Sequence, residues 1–263
     1  LDFALARYNR DGSLDSSFLS ALPGTDGPVW DIVQQSDGKC VIAGEFRNVN
    51  GVPHQGIARL NADGSLDNDF NPVLVGSGRY VYALALQSDG RIITGGSFTS
   101  VNGLGRTNVA RLNPDGSTDP SLVASAYGSL ASVQALVLQP DGRIVIGGFF
   151  STVNGASRNR IARLNNNGSL DTSFLNGLSG GDQAVWTIAV QNDGKTLVGG
   201  WFETFNGASR KYFVRLNVNG TVDTSFLAGL AGPNGRPWSL AVQDDGKILV
   251  GGSFGSFNGV ARN

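Results

Sequence analysis

Short apolar runs alternate with polar, glycine-rich turns along the whole chain. In the repeat that covers residues 81–122, the run 81–86 is apolar on both faces and too short for an ordinary helix. Asp89-Gly90 follows it, and this dipeptide is typical of a tight hairpin because glycine accepts the positive φ of the turn. The pattern predicts strand A over residues 81–86 and strand B over residues 91–98.

The second half of the repeat predicts two further strands. Asn102-Gly103 marks a turn after strand B, and Asp115-Gly116 marks a turn after the segment 108–113. We therefore expect strand C over residues 108–113 and a short strand D over residues 117–122, so that each repeat has four antiparallel strands. Strand A is expected to be the innermost strand, because a strand that is apolar on both faces is covered on both sides.

The turn between strands A and B recurs with a period of 52 residues, at Asp37, Asp89, Asp141, Asp193 and Asp245. Five such periods cover 260 of the 263 residues. A fixed period of this length, built of short strands, is typical of a β-propeller in which each repeat forms one blade. The pattern predicts an all-β chain that forms a single five-bladed β-propeller domain over residues 1–263.

The last repeat contains only its first half. Its strands A and B are predicted within residues 237–263, and the matching strands C and D lie at the other end of the chain, in residues 1–18. A composite blade from both segments would close the ring and remove free sheet edges. The other blades are predicted at 29–70, 81–122, 133–174 and 185–226. An open stack of blades is the alternative, and it would expose edges after Phe254 and at Leu5.

A pair of small residues lies within each strand B, and its second residue stands two positions before a phenylalanine. We expect the glycines to make room for the neighbouring blade and the phenylalanines to fill the space between sheets. The pairs are Ala43-Gly44, Gly95-Gly96, Gly147-Gly148, Gly199-Gly200 and Gly251-Gly252, and the phenylalanines are Phe46, Phe98, Phe150, Phe202 and Phe254.

The repeated segments resemble a known bacterial family. Leu-Ala-Val-Gln-x-Asp-Gly-Lys, Gly-Gly-x-Phe, Val-Asn-Gly and Arg-Leu-Asn-x-Asp-Gly-Ser-x-Asp-x-Ser-Phe are similar, over the whole chain, to the delta-sixty type of bacterial propeller repeat. The resemblance implies a propeller of largely unknown function from an exported or surface-associated protein, often as part of a longer polypeptide. It implies no catalytic residues. The chain departs from the pattern at Ala43, Asn167 and Asn219.

Composition narrows the range of functions. A net charge of −1 with 16% charged residues makes nucleic acid an unexpected partner. The single Cys40 cannot form an internal disulfide and stands where the other repeats have Ile or Thr, so we expect a core residue. The sequence has no Met, so we expect that its own start has been lost. No membrane span can be read in it. An extracellular, periplasmic or cell-surface location is implied by the family resemblance.

An arginine of strand C recurs eight residues before an aspartate of strand D. An ion pair across the hairpin explains both positions. The pairs are Arg7 with Asp15, Arg59 with Asp67, Arg111 with Asp119, Arg163 with Asp171, and Arg215 with Asp223. The turns between them partly resemble calcium loops, but two carry Asn167 and Asn219 in place of aspartate. We expect structural pairing, without a metal or a cofactor.

Two rings of candidate binding residues lie at equivalent positions, meaning positions separated by whole periods. One ring is at the start of strand A (Trp30, Tyr82, Gln134, Trp186 and Trp238), and the other follows the B–C turn (His54, Arg106, Arg158, Arg210 and Arg262). By analogy with other propellers, both rings are expected on the face at the mouth of the channel. The aromatic residues could stack on sugars or hold a peptide, and they could also fill space between blades. Trp201 in strand B is interpreted as tolerated variation.

No catalytic constellation is visible. His54 and Cys40 lack a third orienting group, and Glu45 and Glu203 do not occupy equivalent positions. We therefore expect a non-enzymatic interaction module that binds a protein partner, or a flanking domain of the same polypeptide, through the loops 19–28, 71–80, 123–132 and 227–236. The alternative is a multivalent lectin that reuses the aromatic ring for glycans.

Overall fold

The computed structural model describes residues 5–20 and 22–262. Residues 1–4 of the predicted composite blade, Ala21 of the predicted loop 19–28, and Asn263 lie outside the described residues. Over the described part, the chain forms strands and turns and contains no helix. It divides into two compact units, Leu1–Ser121 and Leu122–Asn263.

The strands of the first unit are β1 (Val29–Gln34), β2 (Cys40–Gly44), β3 (Asn48–Val49), β4 (Val52–Pro53), β5 (Ile57–Leu60), β6 (Leu74–Val75), β7 (Tyr80–Leu86), β8 (Ile92–Ser97), β9 (Ser100–Val101), β10 (Leu104–Gly105) and β11 (Val109–Leu112). They form two larger three-stranded antiparallel sheets, with the orders β1-β2-β5 and β7-β8-β11. The connections form smaller sheets, which are the three-stranded β6-β9-β10 and the two-stranded β3-β4.

The strands of the second unit are β12 (Ala126–Tyr127), β13 (Ser132–Leu138), β14 (Ile144–Phe149), β15 (Thr152–Val153), β16 (Ala156–Ser157), β17 (Ile161–Leu164), β18 (Val185–Val190), β19 (Thr196–Gly200), β20 (Thr204–Phe205), β21 (Ala208–Ser209), β22 (Phe213–Leu216), β23 (Arg236–Val242), β24 (Ile248–Ser253), β25 (Ser256–Phe257) and β26 (Val260–Ala261). They repeat the arrangement of the first unit, with sheets of order β13-β14-β17 and β18-β19-β22 and a two-stranded sheet β23-β24.

Strands A, B and C of the type repeat lie where the sequence predicts them, at β7, β8 and β11, with boundaries that differ by about one residue. The predicted strand D is wrong as a strand, because it is reduced to the single bridge Leu112–Thr118. The N–H of Asp119 donates to Arg111 O at 2.8 Å, and the Asp119 carboxylate then accepts from the N–H and hydroxyl of Ser121. These bonds turn the chain away from strand C after a single bridge between the two segments.

The connection between strands B and C is itself a short hairpin. In the type repeat, β9 pairs with β10 on one side and with β6, from the preceding loop, on the other. Asn102 at the tip has a φ of 49°. Its side chain accepts from the N–H of Val73 and donates to the carbonyl of Gly116. The small sheets therefore fix connections that the sequence predicts only as turns.

Each unit has its own apolar core between successive sheets. In the first unit, Val41 and Ile57 of one sheet share a buried cluster with Val81 and Leu84 of the next. The second unit contains equivalent clusters. Four of the five repeated phenylalanines are buried, as expected, and Phe254 is half-buried.

The paired glycines are needed for two different reasons. A Cβ on Gly147 would collide with the side chains of Val185 and Ile188 in the next sheet, so this glycine makes room for a neighbour, as predicted. A Cβ on Gly148 would instead collide with the carbonyl of Ser132, in strand A of its own sheet. The second glycine of each pair therefore permits close pairing of strands A and B.

The two ends of the described chain each carry an incomplete sheet. Strand β24 pairs with β23, and no strand C pairs with β24 among the described residues. At the other end, Tyr8 bridges Leu14 within a small hairpin. Each half of the predicted composite blade is thus seen on its own.

Candidate functional site

All five members of the first predicted ring occupy the same special backbone position. The pairing between strands A and B is interrupted at one residue in every repeat, and this residue is the predicted ring member. A β-bulge leaves its extra residue unpaired and re-aims its side chain. Trp30 is 56% exposed and Trp238 is 53% exposed, whereas Tyr82, Gln134 and Trp186 are half-buried.

The second unit brings three tryptophans together. The rings of Trp186 and Trp238 are stacked, with centroids 4.4 Å apart and planes 7° apart. Trp201 packs against Trp186 at a centroid distance of 6.0 Å and an angle of 46°. The guanidinium carbon of Arg236 lies 3.6 Å from the Trp201 ring centroid and 5.7 Å from that of Trp186. These four residues form the Trp/Arg cluster.

Local structure explains how the Trp/Arg cluster forms. Trp186 and Trp238 are the bulge residues of β18 and β23, so the same irregularity presents both rings in successive sheets. Trp201 follows β19 directly, and its N–H donates to the carbonyl of Ala184 at 2.9 Å. Arg236 opens β23, opposite Ser253. The cluster is therefore held by strand ends and not by loops alone.

The equivalent region of the first unit has different chemistry. Tyr82 packs against Tyr80 at a centroid distance of 6.3 Å. Burial, together with the charge and hydrogen bond of Glu45, raises the pKa of the Tyr82 phenol to about 12. No ring pair in the described part of the chain involves Trp30. This region pairs a phenol with a carboxylate and contains no cation–π contact among its described residues.

Gln134 is the non-aromatic member of the first predicted ring of residues. Its amide nitrogen donates to the hydroxyl of Ser132 at 2.9 Å, within the same strand. A glutamine has no aromatic face, and this bond holds its side chain against its own strand. The five ring positions therefore do not provide five equivalent binding sites.

Neither ring nitrogen of His54 has a hydrogen-bond partner among the described residues, whereas the four arginines of the second predicted ring each bond to a backbone carbonyl of their own hairpin. His54 is 3% exposed, and burial lowers its pKa. The arginines donate to the carbonyl of the preceding residue, at 2.8 Å for Arg106, 2.7 Å for Arg158, 2.9 Å for Arg210 and 2.8 Å for Arg262. None of the described side-chain contacts joins these residues to the Trp/Arg cluster.

The predicted structural pairs form tight ion pairs. Arg59 Nε donates to Asp67 Oδ2 at 2.8 Å, and Arg163 Nε donates to Asp171 Oδ2 at 2.7 Å. Arg7 with Asp15, Arg111 with Asp119, and Arg215 with Asp223 have the same geometry, at 2.8, 2.8 and 2.9 Å. These aspartates are engaged by cations, and no cluster of three potential metal ligands occurs among the described residues.

Sequence reasoning misses Trp201 and Arg236. Trp201 resembles tolerated variation in the sequence, although its equivalent, Glu45, also contacts a bulge residue, Tyr82. Arg236 is the last residue of the predicted loop 227–236 and lies two positions before Trp238. Residues two positions apart in a strand can face the same neighbouring sheet, even beside a bulge. The spacing of Arg236 and Trp238 is therefore the signal in the sequence that points to Arg236.

Comparison with known families agrees with this repeat pattern. The sequence matches the family described as "Domain of unknown function (DUF5122) beta-propeller" over residues 1–18, 35–70, 87–122, 139–174, 191–226 and 243–263. The chain belongs to this family. It is therefore a β-propeller protein, and the predicted relation to a propeller repeat family of unknown function is confirmed.

Solved structures share the fold at low identity. A virginiamycin B lyase from Staphylococcus aureus is 14% identical, with a TM-score of 0.53, over 89% of this chain and 66% of the lyase. PorZ, an essential bacterial surface component of the type-IX secretion system of Porphyromonas gingivalis, is 14% identical, with a TM-score of 0.50, over 90% of this chain and 33% of PorZ. The chain thus spans less than two thirds of either protein. These likenesses show the fold alone.

No curated protein sequence matches the chain. The described residues also contain no helix with the length and apolar character needed to cross a membrane.

Proposed function

We propose that this β-propeller is a non-enzymatic interaction module that binds a protein partner, or a neighbouring domain of its own polypeptide, through the face that carries the bulge residues. The observation that carries the proposal is the Trp/Arg cluster. Its Trp201 and Trp238 are about half exposed although both belong to a packed aromatic group. Tryptophan and arginine are enriched where protein interfaces gain most of their binding energy.

Differences among the repeats favour a protein partner over a glycan. A multivalent lectin would reuse the same residues in several blades. Here the position of Trp201 is taken by Glu45, Ser97, Phe149 and Ser253 in the other repeats. A single irregular patch suits binding to one defined protein surface. The lectin is kept as the second candidate function because bulge tryptophans are exposed.

The same proposal includes a closed ring of five blades. In each of four repeats, a cation after strand A pairs with the aspartate 28 residues later, as in Lys195 with Asp223 and Arg143 with Asp171. Lys247 occupies the equivalent position, is 77% exposed at its side chain, and contacts only Asp245 among the described ion pairs. In a ring of five 52-residue repeats, the residue 28 positions after Lys247 is Asp15.

Apolar exposure supports the same closure. Tyr8 is 68% exposed, whereas Leu60, at the equivalent position of the next repeat, is buried. Leu249 in β24 is also exposed, and its equivalent Leu197 is buried. Closure would pair the segment 5–8 with β24 in the register that Thr196–Gly199 and Phe213–Leu216 adopt. Both halves would then lose their free edges.

We place the protein outside the cytoplasm, in the periplasm or at the cell surface. This part of the proposal is supported by the family resemblance and by the likeness to PorZ, which is a bacterial surface component. The likeness to virginiamycin B lyase concerns the fold. Among the described residues, the candidate site contains rings and a guanidinium, without an acid–base pair positioned for catalysis.

Parallel glycan and protein arrays, probed with the purified chain, test the proposal. We expect saturable binding to a protein that is lost in the Trp186→Ala/Trp238→Ala variant and retained in Trp30→Ala, a matched change at the equivalent position outside the cluster. Circular dichroism verifies that both variants are folded.

Other results would count against it. Binding to one glycan class, lost in both variants, would establish the lectin. Protein binding that survives the double substitution would show that the cluster is not the contact surface.

A further inference from the structure

We propose that the Trp/Arg cluster recognises an acidic segment of the partner, with Arg236 pairing with a carboxylate and the tryptophan edges contacting an apolar side chain beside it. This inference rests on the proposed function and specifies the chemistry of the partner.

The charge of Arg236 has no carboxylate partner among the described residues. The strand C arginines have carboxylate partners, as in Arg163 with Asp171 and Arg215 with Asp223. Arg236 has no ion pair or hydrogen bond to a carboxylate among the described residues, and its guanidinium packs on Trp201 instead. A guanidinium that stacks on a ring keeps its charge and its in-plane N–H donors, which suit a planar carboxylate.

A charged residue stands at the position of Arg236 in one repeat alone. The residues equivalent to Arg236 are Pro28, Tyr80, Ser132 and Ala184, none of which is charged. The cation therefore belongs to one repeat and not to the requirements of the fold. Arg236 also packs on the ring of Trp201, which is 46% exposed. An uncompensated cation beside exposed apolar side chains is complementary to a segment that combines an acidic residue with an apolar one.

The packing of the cluster suits a peptide better than a sugar. Sugars stack on the open faces of aromatic rings, but Trp186 and Trp238 cover one face of each other at 4.4 Å. The guanidinium of Arg236 covers a face of Trp201. Each tryptophan of the cluster thus has one ring face already covered, beside a guanidinium that has no carboxylate partner among the described residues. These features suit the side chains of a peptide, because rings pack favourably against other rings and apolar groups while the guanidinium binds an acid.

Selection from a displayed library of random 12-residue peptides, using the full chain as bait, tests this chemistry. We expect the selected peptides to contain Asp or Glu next to an aromatic, aliphatic or proline residue. The best peptide and its copy with Asn or Gln in place of the acid are then titrated into the labelled chain. The four tryptophan indole N–H signals are read by NMR, so that Trp30 serves as an internal reference.

The expected result is a shift of the indole signals of Trp186, Trp201 and Trp238, with the Trp30 signal unchanged. Neutralising the peptide acid should weaken binding by about tenfold or more, because a charge-assisted hydrogen bond is lost. Arg236→Gln should remove the preference for the acid, Arg236→Lys should keep part of it, and the exposed-site control Arg10→Gln should behave as the wild type. Added salt should weaken the wild-type complex.

Three results would overturn the inference. Selected peptides could lack acids, they could bind Arg236→Gln as tightly as the wild type, or their binding could leave the three cluster signals in place. In the last case the chain would still be an interaction module, with its site elsewhere. Failure to select any peptide, together with indole shifts caused by an oligogalacturonate, would replace the peptide with an acidic sugar.

Discussion

Arg163 Nε donates to Asp171 Oδ2 at 2.7 Å, and Arg143 Nη1 from the preceding hairpin donates to the same oxygen at 2.9 Å. The side chains of Arg163 and Asp171 are almost fully buried. One carboxylate therefore ties strand C, strand B and the following turn together. The same arrangement recurs at Asp119, with Arg91 and Arg111.

The first prediction concerns this ion pair. Asp171→Asn should destabilise the fold by about 3–5 kcal/mol, since removal of one partner leaves a buried guanidinium uncompensated. The exposed Asp141, which also contacts Arg143, supplies the control, and Asp141→Asn should cost about 1 kcal/mol or less. Chemical denaturation of both variants measures the difference, and equal losses of stability would contradict the buried-pair interpretation.

The second prediction concerns pH and Asp31. Burial raises the pKa of Asp31, although its carboxylate accepts hydrogen bonds from the N–H groups of Leu84, at 2.7 Å, and Ile32, at 2.8 Å. A raised pKa in the folded state means that the protonated form favours folding. The contribution of this group to stability is therefore greatest below the unfolded pKa of 3.8 and is lost as the pH rises through the folded pKa.

Asp31→Asn keeps an oxygen acceptor for Leu84 and removes the charge. We expect the variant to be more stable than the wild type at pH 7, and the advantage to shrink as the pH falls through the carboxyl range. Urea denaturation across this pH range, with an NMR titration of the carboxyl carbon, provides the measurement. A wild type that is the more stable protein at pH 7 would show that the charged hydrogen bonds outweigh burial.

The third prediction concerns the second glycine of each pair. Gly148→Ala should destabilise the fold by about 1–3 kcal/mol, because the new Cβ meets the Ser132 carbonyl and strands A and B must separate. Gly105→Ala is the matched control, since nothing lies within 4 Å of the position that its new Cβ would occupy. Thermal denaturation of the two variants distinguishes them. A Gly148→Ala protein as stable as the control would mean that the strands separate at little cost.

The fourth prediction tests ring closure. Ala6 and Val250 would be directly opposite each other if the segment 5–8 pairs with β24 as Val214 pairs with Val198. Antiparallel partners lie about 4.5–5.5 Å apart at Cα, which is within the range of a disulfide. In a Cys40→Ala background, Ala6→Cys/Val250→Cys should therefore form an intramolecular disulfide on mild oxidation, visible as faster migration without reductant.

Two other outcomes have clear meanings. Disulfide-linked dimers would indicate that the two ends join different copies of the chain. Free thiols after oxidation would favour the open arrangement and would contradict closure. Ala6→Cys alone and Val250→Cys alone are the controls for chance oxidation between molecules.

The sequence by itself determined the repeat, its 52-residue period, strands A to C and the spacing of the arginine and aspartate pairs. Hydrophobic alternation and Asp-Gly turns are local signals, and they recur often enough here to reinforce one another. Strand D could not be predicted correctly, because the Asp119 side chain bonds the chain that follows it and ends the ladder. The competition between a side chain and the ladder is decided by geometry.

Only the tertiary structure decided which residues form the candidate site. Trp30 and Trp238 are indistinguishable by position in the repeat, yet Trp238 stacks on Trp186 and Trp30 has no described ring partner. Trp201, directly after β19, and Arg236, in β23, come together because successive sheets pack against each other, which brings the guanidinium carbon to 3.6 Å from the ring centroid. Periodicity specifies what all blades share. The contacts between particular neighbours depend on packing across sheets, which no single repeat encodes.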